Sequence, residues 1–261
     1  MVSEMIKKIT ASKTIAVKID GAGRYYFPDD LTLKNKKIVS IIPVLGIYSF
    51  VDNAASLPIG SGDNLFMSLT ADGVNYFYDG VSVAQVSESK LKGKYEQYNQ
   101  VLDLPNCYID CKGNTTGYLH LVVFYEDLSF VNSVVNMDSN YDYAEIPLLY
   151  ENGLNNPLPD NNTLRGKKFR NIISTFTSYT PMGSAGVKAN IAFNYGYITL
   201  CSGSRIILDR MPLKLLRQET MYQELQFDNI QFDFENSFVQ IFGSGHDIAD
   251  KFLYLIFKYE R

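Results

Sequence analysis

Residues 28–42, PDDLTLKNKKIVSII, return in altered form at 159–173 as PDNNTLRGKKFRNII. Pro28, Asp29, Thr32, Leu33, Lys36, Lys37, Ile41 and Ile42 recur as Pro159, Asp160, Thr163, Leu164, Lys167, Lys168, Ile172 and Ile173, 131 residues further on (28 to 159). At the same offset Tyr48 meets Tyr179, Ala54 meets Ala185 and Leu69 meets Leu200. Near the end of each half, YLHLVVFYE (118–126) aligns with FLYLIFKYE (252–260), now 134 residues apart (118 to 252). A drift of about three residues is the size of a short loop insertion. The period far exceeds the 20–50 residues of stacking repeats, so each copy is expected to be a whole domain. Two homologous domains follow, 1–135 and 136–261, with the boundary near 130–142.

The local pattern says what each copy is made of. Tyr 19 and Phe 16 against Trp 0 suit pleated sheet surfaces. Strands are predicted at 13–20, 36–50, 64–70, 73–79, 101–111 and 118–126 in the first copy. In the second they fall at 143–150, 168–179, 188–200, 204–209, 228–242 and 252–260. Turn signals separate them: Asp72-Gly73, Asp79-Gly80, Gly113-Asn114 and Gly243-Ser244-Gly245. That spacing belongs to a sandwich or barrel. One helical stretch interrupts each copy at matching places, 85–97 and 212–225; in the second, Pro212 suits a first turn and Leu213, Leu216, Met221 and Leu225 recur at helical spacing.

Several chemistries find no support. Lys+Arg 24 against Asp+Glu 28 gives a net charge of −4, which does not favour a polyanion partner such as nucleic acid. No run reaches the apolar length of a bilayer span, and the first residues lack the pattern of a cleaved secretory signal. The glycine-serine clusters GSGDN (60–64), CSGSR (201–205) and FGSGH (242–246) miss the nucleophile-elbow spacing and are expected to be hairpin loops. Gly21-Ala22-Gly23 lacks a third glycine at Tyr26, so no phosphate cradle forms. Cys107, Cys111 and Cys201 are expected to be free thiols; the first two, on one strand, would lie beyond disulfide reach. His120 and His246 are expected to be structural, since no local motif supplies further metal ligands beside Asp247 and Asp250. Asp29 and Asp160 recur with the architecture, as turn residues do, and Lys36-Lys37 and Lys167-Lys168 read as solvated strand edges. The sequons at Asn114 and Asn161 carry no weight without a secretory signal. No catalytic residue, cofactor or metal site is assigned, and the chain is not expected to be an enzyme.

The N-terminal stretch MVSEMIKKITASK joins Met1, Val2, Met5 and Ile6 to Lys7, Lys8 and Lys13. Such a basic-apolar arm suits contact with a neighbouring subunit or an anionic membrane surface, through Lys7, Lys8 and Lys13.

Two tandem β domains, carried by the repeated PDxxTLxxKK and YLxLxxxYE-like segments, resemble the double jelly-roll major capsid proteins of tailless icosahedral, membrane-containing bacteriophages, corticovirus-like or finnlakevirus-like. The resemblance is architectural and spans nearly the whole chain. It implies an all-β fold of two tandem jelly-roll β-barrels, with a short helix in an equivalent connection of each. It further implies a homotrimer presenting six barrels as a pseudo-hexamer, tiling a shell without catalysis. Partners would be the chain itself, neighbouring capsomers, penton, spike or minor capsid proteins, and an internal membrane met by the N-terminus. The place of action would be the virion, after synthesis in the host cytoplasm. Physical logic points the same way, because two fused copies in a trimer give six similar edges while divergence lets each half meet different neighbours. A phage tail or auxiliary protein, or a carbohydrate-binding adhesion protein with Tyr platforms, is the chief alternative; a hydrolase acting through paired carboxylates is a third.

Overall fold

The computed structural model of the chain describes residues 10–52, 57–87, 98–126, 141–149, 155–175, 196–216, 230–242 and 252–260. The fold is all-β. Strands in the first half are β1 (Thr10–Asp20), β2 (Gly23–Tyr26), β3 (Lys37–Val44), β4 (Leu65–Thr70), β5 (Tyr76–Ser82), β6 (Gln100–Val101), β7 (Tyr108–Cys111) and β8 (Thr116–Glu126). The second half gives β9 (Tyr141–Leu149), β10 (Asn155–Pro157), β11 (Lys168–Thr175), β12 (Gly196–Ser202), β13 (Arg205–Pro212), β14 (Ile230–Gln231), β15 (Asp233–Ile241) and β16 (Phe252–Glu260). A single α-helical turn, α1 (Val83–Val86), follows β5, and a 3₁₀ turn, Leu213–Leu216, follows β13.

Strand order repeats between the halves. In the first, β1-β8-β3-β6 form one run of neighbours and β2-β7-β4-β5 another; adding eight to each number gives β9-β16-β11-β14 and β10-β15-β12-β13, the observed orders of the second. Irregularities repeat as well. The β3/β8 ladder slips between Ile38 and Ser40, and the β11/β16 ladder slips between Phe169 and Asn171. The β4/β5 ladder slips between Met67 and Leu69, and β12/β13 between Ile198 and Leu200. Bulges sit where a sequence places them, so the shared set extends the correspondence between the two halves from strand order to register.

The repeated PDxxTL segment shows why the sequence similarity survived. Leu33 and Lys34 donate their amides to the Asp30 carbonyl, as Leu164 and Arg165 do to that of Asn161. The side chains of Asp30 and Asn161 accept from the amides of Thr32 (2.8 Å) and Thr163 (2.9 Å), closing identical Asx turns. Asn35 (φ 60°) and Gly166 (φ 74°) then occupy the left-handed region, and Leu33 and Leu164 plug the interior beneath. The capping residue is therefore the one after Asp29 and Asp160.

Each half packs two sheets face to face. Ile15, Val17, Leu121, Val123, Met67 and Ile109 fill the first interior; Leu253, Leu255, Phe257, Phe169, Ile198 and Val239 fill the second. β16 alternates, burying Leu253, Leu255, Phe257 and Tyr259. Its counterpart β8 is buried on both faces, because Val122 and Phe124, with Ile42, Val44 and Ile47, join the apolar cluster of the second half. Each such side chain taken from water contributes about 1.5–3 kcal/mol. The halves are therefore fused through a common core, and a parallel pairing of β1 with β13, Ser12 opposite Leu208 and Lys13 opposite Asp209, makes eight strands continuous from β10 to β6.

Of the expected two tandem jelly-roll β-barrels, the structure shows the all-β fold and the repeated strand order. Among the described residues each half is a pair of open sheets, and the halves share one sheet. β2 and β10, equivalent to each other, escaped notice because four and three residues, mostly exposed, give no readable alternation. Asp79-Gly80 lies within β5 as a bulge, and Ile59–Asn64 is a 3₁₀ helix instead of a hairpin loop. The predicted strand 36–50 ends at Val44, and 101–111 is broken by a 3₁₀ turn at Leu104–Asn106. Cys107 accordingly precedes β7 and does not share a strand with Cys111. Pro212 closes β13 instead of opening a helix. The remainder of both predicted helices, the boundary segment 127–140, Tyr179, Ala185 and Gly243-Ser244-Gly245 lie outside the described residues.

Gly80 (φ 61°) and Arg210 (φ 53°) hold the same bulge position in the two halves, their amides donating to Ser68 Oγ (2.9 Å) and Thr199 Oγ1 (3.3 Å). A Cβ at Gly80 would meet nothing within 4 Å, so only the left-handed backbone opposes a side chain there. Gly80→Ala is expected to cost about 1 kcal/mol in denaturant unfolding; an unchanged midpoint would show that the bulge is not retained.

Candidate functional site

The seam between the halves concentrates the polar side chains that the core leaves room for. Lys13, on β1, donates to Thr32 Oγ1 at 3.0 Å and pairs with Asp30 at 3.0 Å and Asp209 at 3.6 Å, all three charged side chains being about four-fifths covered. Burial alone would raise the Asp30 carboxyl; the hydrogen bond and charge of Lys13, with the Thr32 amide, outweigh it and hold the group below its ordinary value. Thr14 Oγ1 donates to the Arg210 carbonyl at 2.7 Å, and Lys214 Nζ to the Leu45 carbonyl at 2.7 Å. These two bonds and the Lys13–Asp209 pair cross from one half to the other. An open hollow of about 500 Å³ lies over the seam, lined by Lys13, Thr32, Tyr125, Arg205 and Asp209.

Deeper in the junction, Tyr197 donates its hydroxyl to the Tyr48 carbonyl, and its ring meets Phe50 edge-on at 5.3 Å and His120 at 6.0 Å. His120 is fully buried, with Nε2 3.1 Å from Ser49 Oγ. Phe50 lies beneath the Arg210 guanidinium at 4.8 Å. Such aromatic packing against a cation orders the junction.

The second surface of note is the outer face of the β2-β7-β4-β5 sheet. Arg24 grips Asp110 through two nitrogens (2.9 and 3.2 Å) and lies 3.7 Å from the Tyr108 ring centre. Tyr26 and Tyr76 meet Tyr108 edge-on at 5.9 and 5.3 Å. Cross-strand register explains the cluster: Arg24 faces Asp110 and Tyr26 faces Tyr108. Tyr26 is exposed, as are Phe77 and Val74 beyond the cluster.

The residues singled out in the sequence fall as follows. Lys13 is not on a free arm but inside β1 at the seam, where its partners belong to this same chain; Lys7 and Lys8 lie outside the described residues. Lys37 pairs with Glu126 at 3.1 Å, while Lys36 and Lys167 sit 6.0 and 5.7 Å from the rings of Tyr125 and Tyr259, equivalent contacts in the two halves. Cys107, Cys111 and Cys201 are buried free thiols. His246 with Asp247 and Asp250 lies outside the described residues. Among the described residues no three of His, Cys, Asp and Glu gather to hold a metal, and no helix is long and apolar enough to cross a membrane. Sequence reasoning missed Thr14, Tyr197, Arg210 and Lys214, whose roles depend on partners more than a hundred positions away; only the Gly80/Arg210 equivalence could have marked one of them.

Burial pushes the His120 imidazole down to about 3 from its ordinary 6.5, so the ring is neutral in the fold while the unfolded chain takes up a proton. Between those values the unfolded chain binds more protons, and stability is lost as pH falls, by at most about 1.4 kcal/mol per unit. His120→Gln is expected to flatten the slope of stability between pH 7 and pH 4, bringing variant and parent closer at the acid end. Parallel curves would contradict a neutral buried ring.

Compared with known proteins, the chain matches no family model, no curated protein and no solved structure.

Proposed function

We propose that this chain is a shell-building structural protein, a major capsid protein of the tailless, membrane-containing phage type, in which residues 1–135 and 136–261 are each a jelly roll. The observation carrying the reading is the duplicated strand order. An eight-stranded jelly roll splits its strands into two four-stranded sheets ordered 1-8-3-6 and 2-7-4-5, the result of two nested Greek keys. Both halves have those orders. In this reading the sandwiches stand upright and three chains place six of them in a ring, a capsomer that tiles an icosahedral shell.

The chemistry offered is contact area. The partly buried Lys13–Asp209 pair and aromatic packing lock the two halves of one chain at a fixed angle, which a lattice unit requires. Exposed Tyr26, Phe77 and Val74 supply apolar surface of the kind that interfaces use. The chain would act in the virion after synthesis in the host cytoplasm, without catalysis or cofactor. It would meet neighbouring capsomers and penton, spike or minor capsid proteins, and reach an internal membrane through the arm bearing Lys7 and Lys8.

One observation favours a second reading: exposed Tyr26, with Tyr76 and Tyr108 around the Arg24–Asp110 pair, offers an aromatic surface of the sort that binds sugars, as in an adhesion or auxiliary protein. Light scattering separates the two. The purified chain is expected to run as a trimer or larger particle; a monomer persisting at high concentration, with specific glycan-array binding, would replace the shell-building proposal with the second one.

A further inference from the structure

The seam inside the chain is a head-to-tail contact: the outer edge of β13, last strand of its four-strand run, pairs with the outer edge of β1, the first strand of another run. By the repeat, β5 is the counterpart of β13 and β9 the counterpart of β1. Among the described residues both end their sheets, β5 bordering only β4 and β9 only β16. Each half therefore carries one edge used in the internal seam and one equivalent edge with no strand beside it among the described residues.

We infer that β9 of one chain pairs in parallel with β5 of a second copy, repeating the internal seam between chains. The inference rests on the shell-building reading and specifies the contact that closes its ring. The register follows from the repeat. Ser12 and Tyr143 face equivalent positions of β8 and β16, Phe124 and Lys258, so Tyr143 and Ala144 stand where Ser12 and Lys13 stand. Leu69 faces Tyr78 as Leu200 faces Leu208, so Tyr78 and Asp79 stand where Leu208 and Asp209 stand. The intermolecular pairs are thus Tyr143 with Tyr78 and Ala144 with Asp79. Ala144 replaces Lys13, so the charged lock of the internal seam is absent from the new one, and the two seams differ in strength while sharing geometry.

A further observation supports an edge built to be joined. Open strand edges are usually blunted by charge, proline, bulges or a covering loop; β5 (YFYDGVS) has no lysine or proline and exposes Phe77, its bulge at Asp79-Gly80 is the counterpart of the one β13 carries beside the internal seam, and Pro147 of β9 stands beyond the Tyr143–Ala144 pairing. A heterologous contact that repeats the step between lobes of one chain closes a ring when the steps sum to a full turn. Six such steps, three within chains and three between them, produce the trimer.

The test places cysteines across the proposed seam in the full chain. Neighbouring strands lie about 4.8 Å apart, within disulfide reach. The double variant Asp79→Cys with Ala144→Cys, oxidised after purification, is expected to convert most of the chain to covalent dimer and trimer on a denaturing gel. Either single variant, and the parent with its three buried thiols, should stay monomeric on that gel. Phe77→Cys with Asp142→Cys, two residues along on the same face, provides a second pair should the first disturb folding. A trimer by light scattering that neither pair cross-links would overturn the edge assignment and leave the shell-building reading standing. A chain that is monomeric throughout would overturn both.

Discussion

The architecture depends on β8 having apolar side chains on both faces. Leu119, Leu121, Val123 and Tyr125 serve the first interior, and Val122 and Phe124 on the opposite side must also leave water. A sheet with a strand of that kind cannot lie at the surface of a lone sandwich. The second half provides the cover, and the parallel pairing of β1 with β13 fixes where it sits. Lys13, bridging Asp30 and Asp209, and Lys214 on the Leu45 carbonyl then hold the two halves at one angle. Breaking such partly buried, hydrogen-bonded charges leaves carboxylates facing each other without a cation, so the lock resists shear as well as separation.

Duplication followed by divergence explains the asymmetry. β16 keeps the alternation of a strand covered on one side, while β8 has lost it. Gly80 keeps a residue suited to the left-handed bulge; Arg210 in its place accepts backbone strain and places its guanidinium over Phe50 at the junction. The Asx turns at Asp30 and Asn161, by contrast, are unchanged because each closes its own half in the same way. Positions that serve one half stay alike, and positions that serve the meeting of halves differ.

That division also decides how much was legible in the sequence. The repeat and the strand-rich pattern were readable because they depend on local composition and on spacing along the chain. β8 and β16 were found nearly to the residue, since long central strands have the strongest patterns. β2 and β10 were lost because short edge strands bury little. The seam was invisible: Thr14 and Arg210, or Tyr48 and Tyr197, are brought together only by tertiary packing, and nothing around them locally differs from an ordinary strand or loop. Lys13 was noticed for its charge, but its pairing with Asp30 and Asp209 of the same chain required the fold.

The claim most open to direct test is that the halves form one cooperative body through the shared core and seam. Differential scanning calorimetry of the chain should show a single unfolding transition, with calorimetric and van't Hoff enthalpies in agreement. Two separated transitions, each with about half of the total enthalpy, would mean that the sandwiches unfold independently and that the junction holds no fixed angle.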